Sequence, residues 1–164
     1  MIIIINGHNG SGKDSFINLL NENYQVLNIS TIDVTKNIMK EYSTWCGQKD
    51  DETRYLMYQL NEIFWKSKYD FIIKYLNERI NSVQNFDICF IHCREPKNIE
   101  KLKNYFQKDF FVKTMLINRK FLNIANNPSD LNVNDYKYDF IIDNNSTLDD
   151  LKTKGNILFS IIKY

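Results

Sequence analysis

Glycine, proline, cysteine and arginine are scarce in this chain of 164 residues, which has five glycines, two prolines, three cysteines and four arginines. The cysteines, Cys46, Cys89 and Cys93, are odd in number and include no Cys-x-x-Cys pair. This pattern argues against a disulfide framework or a zinc site and favours reduced thiols in a cytoplasmic protein. The apolar run at Met1–Ile5 is far too short for a secretory or membrane-spanning segment.

An excess of charge of either sign is also absent, because the formal net charge is only +1. Such a balance argues against nucleic acid or a membrane surface as the main partner. The hydrophobic share of 43% and the charged share of 25% are typical of a globular chain. No repeat, low-complexity tract or linker interrupts the sequence, so we expect a single domain over residues 1–164.

Short apolar segments alternate with segments of helical spacing along the whole chain. Strands are predicted at Met1–Asn6, Tyr24–Ser30, 86–93, 110–118 and 138–143. Helices are predicted at 13–21, 33–42, 51–65, 68–83, after Pro96, and at the C-terminus, where Ser146 and Asp149 have capping-box spacing. This alternation predicts an α/β fold with a mostly parallel five-stranded sheet covered by helices on both faces.

The segment Gly7–Lys13, "GHNGSGK", lies between the first predicted strand and the first predicted helix. Its small residues allow backbone N–H groups to surround an anion, and the helix N-terminus adds positive potential. Lys13 supplies a mobile positive charge for the outer phosphates of a nucleotide. We therefore predict a phosphate-binding loop, and the alternative is a plain glycine turn.

Asp14 follows the loop lysine, where a Ser or Thr that binds Mg²⁺ is usual. A carboxylate about 4 Å from a phosphate charge is repelled by roughly 4 kcal/mol at an effective dielectric constant near 20. The helix dipole returns only about 0.3–1 kcal/mol. Asp14 must therefore point away from the phosphates or face a Mg²⁺ ion, and Ser15 is available to bind an inner phosphate.

Missing motifs narrow the class of nucleotide-binding protein. The chain has neither the Asp-x-x-Gly nor the Asn-Lys-x-Asp motif of GTPases, and the strand "ICFIHC" ends without the acid expected of an ATPase motor. Asp143 does end a strand, but a turn residue is the better interpretation. A small-molecule kinase is what remains, and its needs are positioning and charge neutralisation.

Five segments, in order, resemble the deoxynucleoside monophosphate kinases of bacteriophages. They are "SGKDS", "STIDVTKNIM", "WCGQKDDETRYLM", "FIHCREPKNIE" and "NNPSDLNVNDYKYDFIIDNNSTLDDL". The similarity spans nearly the whole chain. It implies the three-layer fold of P-loop kinases, with a helical insert at about 33–83 over the acceptor and a short lid at about 121–131. It also implies a cytoplasmic enzyme of a bacterial or phage-infected cell that transfers the γ-phosphate of ATP, with Mg²⁺, to a (deoxy)nucleoside monophosphate.

Site residues follow from the same resemblance. ATP would contact the loop and the turn after the last strand, through Gly7, Asn9, Gly10, Ser11, Gly12, Lys13, Asp14, Ser15 and Asn144. The acceptor would contact Asp33, Trp45, Lys49, Arg54 and Arg94, and Lys13, Arg94 and Arg119 would act on the transferring group. Asp14 and Ser15 are the candidate Mg²⁺ ligands. The sequence leaves a homodimer open.

Some features favour other interpretations. His92 stands where the family has an acid, which increases the weight on Asp14 as a metal contact. Arg54 has the spacing of a helix ion pair with Asp50 or Asp51, and Lys49 has the setting of a solvated loop charge. Two other hypotheses therefore stay open: a phosphomevalonate-kinase-like enzyme and a catalytically idle nucleotide-binding module.

Overall fold

The most apolar stretches of the chain form one five-stranded sheet. The computed structural model describes residues 1–48, 50–120 and 131–162. Its strands are β1 (Ile2–Asn6), β2 (Val26–Ser30), β3 (Ile88–His92), β4 (Val112–Asn118) and β5 (Phe140–Asp143), in the spatial order β2-β3-β1-β4-β5. β1 pairs in parallel with both β3 and β4, and β4 pairs in parallel with β5. Parallel strands end at one edge of a sheet, so Asn6, His92, Asn118 and Asp143 lie along the same edge.

The chain divides into two compact units. The sheet unit comprises Met1–Asn28 and Asn85–Tyr164, and its helices are α1 (Lys13–Leu20), α5 (Pro96–Phe106) and α6 (Leu148–Ile162). The helical unit comprises Ile29–Gln84, and its helices are α2 (Asp33–Tyr42), α3 (Asp51–Lys66) and α4 (Phe71–Asn81).

Alternate strand residues point to opposite sides of the sheet. Because β1 and β3 are continuously apolar before their last residues, both faces of the sheet are apolar. On one face α1 and α6 pack through buried aromatic rings, with Phe16 6.2 Å from Phe90 and 6.5 Å from Phe159, ring centre to ring centre. On the other face lies α5, which contacts β1 and β4 and buries Ile99 and Leu102. A fully buried side chain of this size stabilises the fold by about 1.5–3 kcal/mol, so this packing fixes the sheet edge that carries the site.

The predicted architecture is confirmed, with small differences at the element ends. Pro96 is the first residue of α5, where its missing N–H costs nothing. The cap predicted at Ser146 is wrong, because α6 begins at Leu148 and the Thr147 hydroxyl accepts the hydrogen bond from the Asp150 N–H at 3.2 Å. Within the described ranges, no helix is long and apolar enough to cross a membrane.

Two predicted functional features lie outside the described residues. One is Lys49, and the other is the lid at about 121–131, of which only Leu131 is described. The helical insert predicted at about 33–83 falls within the helical unit. Its role in covering an acceptor stays a prediction.

Candidate phosphate-binding site

The loop between β1 and α1 has a backbone that requires glycine at two positions. Gly7 has a φ of 149°, and a Cβ atom there would lie 2.5 Å from the Ile117 carbonyl oxygen of β4. Gly12 has a φ of 94°, and a Cβ atom there would collide with the side-chain amide of Asn144. Any other residue at either position would be strained and obstructed. Strand β1 therefore leads directly into a tight loop that ends at the first residue of α1.

Two positive charges lie against this loop. The Lys13 ammonium donates hydrogen bonds to the Gly7 and His8 carbonyl oxygens at 2.6 and 2.9 Å, and its Nζ is 3.5 Å from Ser11 Oγ. Arg119, which follows β4, has its Nη1 3.5 Å from the Gly10 carbonyl oxygen. The first N–H groups of α1 have no acceptor within the helix. Lysine, arginine and helix N-terminus together make this loop suited to a polyanion.

Asn144 supports the loop from the turn after β5. It is 8% exposed, and its Nδ2 donates to the Ser11 carbonyl oxygen at 2.9 Å. Its backbone N–H donates to the Asn118 carbonyl oxygen at 2.7 Å, which fixes the turn to β4. The side chain thus contacts the loop backbone directly, and the contact with bound ATP that the resemblance implies stays a prediction.

Asp14 lies beside His92, the residue found in place of an expected acid. Its side chain is 84% exposed, and its Oδ1 is 3.8 Å from His92 Nε2. The same Nε2 is 2.9 Å from the Oδ1 of Asn28. An amide oxygen only accepts hydrogen bonds, so Nε2 carries the proton in this arrangement. The Asp14 carboxylate therefore lies beside the imidazole at the end of β3, beyond hydrogen-bonding distance of its Nε2.

Oxygen donors for a divalent cation are present at the start of α1. Asp14 and Ser15 are both exposed in its first turn, and a carboxylate with a hydroxyl suits a hard cation such as Mg²⁺. The described ranges contain no group of three His, Cys, Asp or Glu side chains arranged to hold a metal. Mg²⁺ is usually bound through one or two protein oxygens, phosphates and water, so these residues fit it.

Arg94 follows β3 and is half-buried. Its carbonyl oxygen accepts a hydrogen bond from Asn6 Nδ2 at 2.8 Å, and Asn6 precedes the loop residue Gly7. Sequence reasoning missed Asn6 and its second partner, Tyr138, whose hydroxyl lies 2.6 Å from the same Nδ2. An asparagine that ends a strand of four isoleucines was the one available signal.

The acceptor residues predicted in the helical unit have partners there. Asp33 accepts from the Ser30 N–H at 2.8 Å and pairs with Lys36 Nζ at 3.0 Å. The half-buried Trp45 donates from its indole N–H to the Gln48 carbonyl oxygen at 2.8 Å. Their roles toward an acceptor stay predictions.

Arg54, also predicted to contact the acceptor, is exposed on α3. Hydrogen bonds from Thr53 and, to a smaller extent, the charge of Arg54 lower the pKa of Asp50 below its ordinary value. The charge of Arg54 thus has only the smallest of these effects on Asp50, and both the helix ion pair and the acceptor role stay predictions.

The fold and site define an α/β protein with a glycine-rich, lysine-bearing loop at the carboxyl edge of its sheet. No protein-family model matches the sequence, and no curated protein matches it. Among solved structures, shikimate kinase from Aquifex aeolicus is similar at 17% identity and a TM-score of 0.49, over 99% of this chain and 97% of that one.

Proposed function

We propose that this protein is a kinase that transfers the γ-phosphate of ATP to a (deoxy)nucleoside monophosphate. The observation that carries the proposal is the loop from Gly7 to Gly12, which joins a buried strand to a helix and has the ammonium of Lys13 against its carbonyl oxygens. A loop of this kind binds the phosphates of a nucleotide through backbone N–H groups, with the lysine following the outer phosphates.

Charge neutralisation is the main chemical need of such a transfer. The bond between the γ-phosphorus and the β–γ bridging oxygen of ATP breaks, and a phosphate oxygen of the acceptor forms the new bond to that phosphorus. The products are ADP and a nucleoside diphosphate. Lys13 and Arg119 carry charges for the transferring group on the side of the loop, and both lie within 3.5 Å of loop oxygens.

Mg²⁺ would be held by Asp14 and Ser15 and would neutralise charge on the nucleotide phosphates. The exposure of Asp14 supports this assignment, because an exposed carboxylate can turn toward a cation without loss of a buried contact. While His92 Nε2 donates to Asn28 Oδ1, that nitrogen has no lone pair to offer a metal ion.

The acceptor class rests on the resemblance of five ordered segments to phage deoxynucleoside monophosphate kinases. Arg94 is our candidate for the acceptor phosphate, because a guanidinium binds a phosphate through two parallel hydrogen bonds. Asp33, Trp45 and Arg54 are the candidates from the helical unit.

The test is an acceptor panel of ribo- and deoxyribonucleoside monophosphates, with phosphomevalonate and shikimate as other small-molecule acceptors. We expect ADP and the matching diphosphate with at least one nucleotide. Lys13→Ala should abolish transfer in a protein that stays folded. Lys108→Ala is the matched control, because Lys108 is an exposed lysine after α5 and is distant in sequence from the loop.

Three results would contradict the proposal. Transfer to phosphomevalonate or shikimate alone would change the acceptor class. Bound ATP without transfer to any acceptor would favour an idle nucleotide-binding module. Undiminished transfer by Lys13→Ala would remove the loop as the donor site.

A further inference from the structure

A buried chain of hydrogen bonds joins the end of β1 to the segment that precedes β5. Asn6 is 0% exposed and Tyr138 is 8% exposed. Asn6 Nδ2 lies 2.6 Å from the Tyr138 hydroxyl, and that hydroxyl donates to the Val133 carbonyl oxygen at 2.7 Å. Burial raises the pKa of Tyr138 to about 12. The phenol therefore keeps its proton at neutral pH and remains able to donate.

Each hydrogen bond in this series has one possible donor and one possible acceptor. The Tyr138 proton goes to Val133, so the phenol oxygen accepts from Asn6 Nδ2. The second Nδ2 hydrogen goes to the Arg94 carbonyl oxygen at 2.8 Å, and Asn6 Oδ1 accepts from the Gly7 N–H at 2.8 Å. One amide thus holds the first residue of the phosphate loop and the backbone of Arg94, and Tyr138 fixes the orientation of that amide.

Two further contacts bring the same segment to these elements. Asn132 Nδ2 donates to Glu95 Oε2 at 3.0 Å, and Glu95 is the neighbour of Arg94. Asn134 Nδ2 is 3.5 Å from His8 Nε2, and His8 is the neighbour of Gly7. Residues 132–138 therefore contact both the loop and the β3–α5 connection. The bonds of Tyr138 to Asn6 and Val133 are the buried part of this network, and a satisfied buried polar network holds its members rigidly.

We propose that Tyr138 is a positioning residue that, through Asn6, sets the location of Arg94 relative to the phosphate loop. This inference rests on the proposed kinase function, in which the loop binds the donor and Arg94 binds the acceptor. Tyr138 itself touches neither substrate. Its hydroxyl acts by holding one amide, so its removal affects the alignment of the two substrates more than the binding of ATP.

Tyr138→Phe removes only the hydroxyl and keeps the ring. Asn6 then retains its bond to Gly7 but can rotate away from Arg94, and a displacement of about 1 Å in a positioning group can lower transfer by up to about 100-fold. We expect kcat/KM for the acceptor to fall about 10-fold or more. We expect the Kd for a fluorescent ATP analogue to change by less than about 2-fold, because the Gly7 contact survives.

Tyr136→Phe is the matched control. Tyr136 lies two residues away, its ring packs against that of Tyr138 with centres 5.0 Å apart, and its hydroxyl donates to Glu100. Neither Tyr136 nor Glu100 belongs to the proposed site. Both variants are checked by circular dichroism and urea unfolding. Asn6→Asp perturbs the other end of the same bond, because a carboxylate accepts from Gly7 but cannot donate to Arg94. It should lower transfer as well.

A double-mutant cycle with Arg94→Lys separates positioning from general damage. If Tyr138 acts through Arg94, Tyr138→Phe should cost less than about 2-fold in the Arg94→Lys background, since the aligned guanidinium is already gone. Equal losses from Tyr138→Phe and Tyr136→Phe would overturn the inference, as would additive losses in the cycle or a loss of ATP affinity equal to the loss of transfer.

The same experiment distinguishes failure of this inference from failure of the proposed function. A wild-type protein that transfers phosphate, with a Tyr138→Phe variant equal to its control, overturns the positioning role alone. A wild-type protein that binds the ATP analogue but transfers to no acceptor overturns the kinase function and this inference with it.

Discussion

Gly12→Ala is expected to disable the phosphate loop for two separate reasons. Gly12 has φ 94° and ψ 22°, a left-handed conformation that residues with a Cβ atom rarely adopt. The new methyl group would also collide with Asn144 Nδ2 and displace it from the Ser11 carbonyl oxygen, to which it donates at 2.9 Å. Both effects act at the junction between the loop and α1.

The size of the effect follows from these two contributions. A residue other than glycine held in such a conformation costs about 1–3 kcal/mol. Loss of the Asn144 hydrogen bond leaves a buried carbonyl oxygen without its donor, at about 1–3 kcal/mol. The sum is about 2–6 kcal/mol. If the loop reaches its binding conformation only at this cost, affinity for ATP falls by about 30-fold at the lower limit.

The assay measures the Kd for a fluorescent ATP analogue and the free energy of unfolding in urea for Gly12→Ala, Asn144→Ala and the double variant. In Gly12→Ala the hydrogen bond from Asn144 is already lost, so removal of Asn144 should then cost little. We therefore expect the two changes to be non-additive by about 1 kcal/mol or more. Unchanged affinity and stability in Gly12→Ala, or strictly additive effects, would refute this account of the loop.

Three further predictions concern other parts of the molecule. Hydrogen bonds from Thr114 and the charges of Lys103 and Lys113 outweigh the opposing effect of burial and lower the pKa of Asp139. The ionised Asp139 therefore stabilises the fold above its unfolded pKa, and this contribution is lost as the pH falls through the lower folded pKa. Asp139→Asn should make the free energy of unfolding in urea depend less on pH below about pH 4. An unchanged pH dependence would contradict this. In the native protein only the exposed thiol of Cys46 should react rapidly with Ellman's reagent, because the other two cysteines are buried. All three thiols should react after denaturation. Two rapidly reacting thiols in the native protein would contradict the core packing. Asp14→Ala should raise the Mg²⁺ concentration needed for half-maximal transfer, and an unchanged Mg²⁺ titration would mean that Asp14 does not face the metal.

The sequence predicted the parts of the fold that depend on local patterns. Four consecutive isoleucines followed by a glycine loop and a lysine specify a buried strand, a tight turn and a helix start within fifteen residues. The sequence alone could not identify which residue caps the N-terminus of α6. Ser146 and Thr147 are adjacent hydroxyl residues that can each cap a helix, and the choice depends on where the chain leaves β5.

Local spacing predicted only the contiguous part of the candidate site, and Arg119 and Asn144 were named through the resemblance alone. Lys13 and its loop are encoded within seven residues, but Asn6 and Tyr138 are 132 positions apart in the chain. Their contact depends on β1 and the segment before β5 meeting at the edge of the sheet, so no local spacing reveals it. Asn144 meets the loop for the same reason, across 133 positions. Long-range contacts of single polar residues have no sequence period.

The surroundings of Asp14 limit which ligands could bind a cation together with it. Repulsion by phosphate requires the Asp14 carboxylate to point away from the phosphates or to face a cation. In the structure this carboxylate lies 3.8 Å from His92 Nε2, and the Nε2 proton is directed to Asn28. Because that nitrogen carries a proton, it cannot share a metal ion with Asp14 while the Asn28 contact persists. A cation at Asp14 would therefore be bound through oxygen ligands. His92→Asn, which keeps a polar group but removes the imidazole, should on this reasoning leave the Mg²⁺ requirement unchanged, whereas Asp14→Ala should raise it.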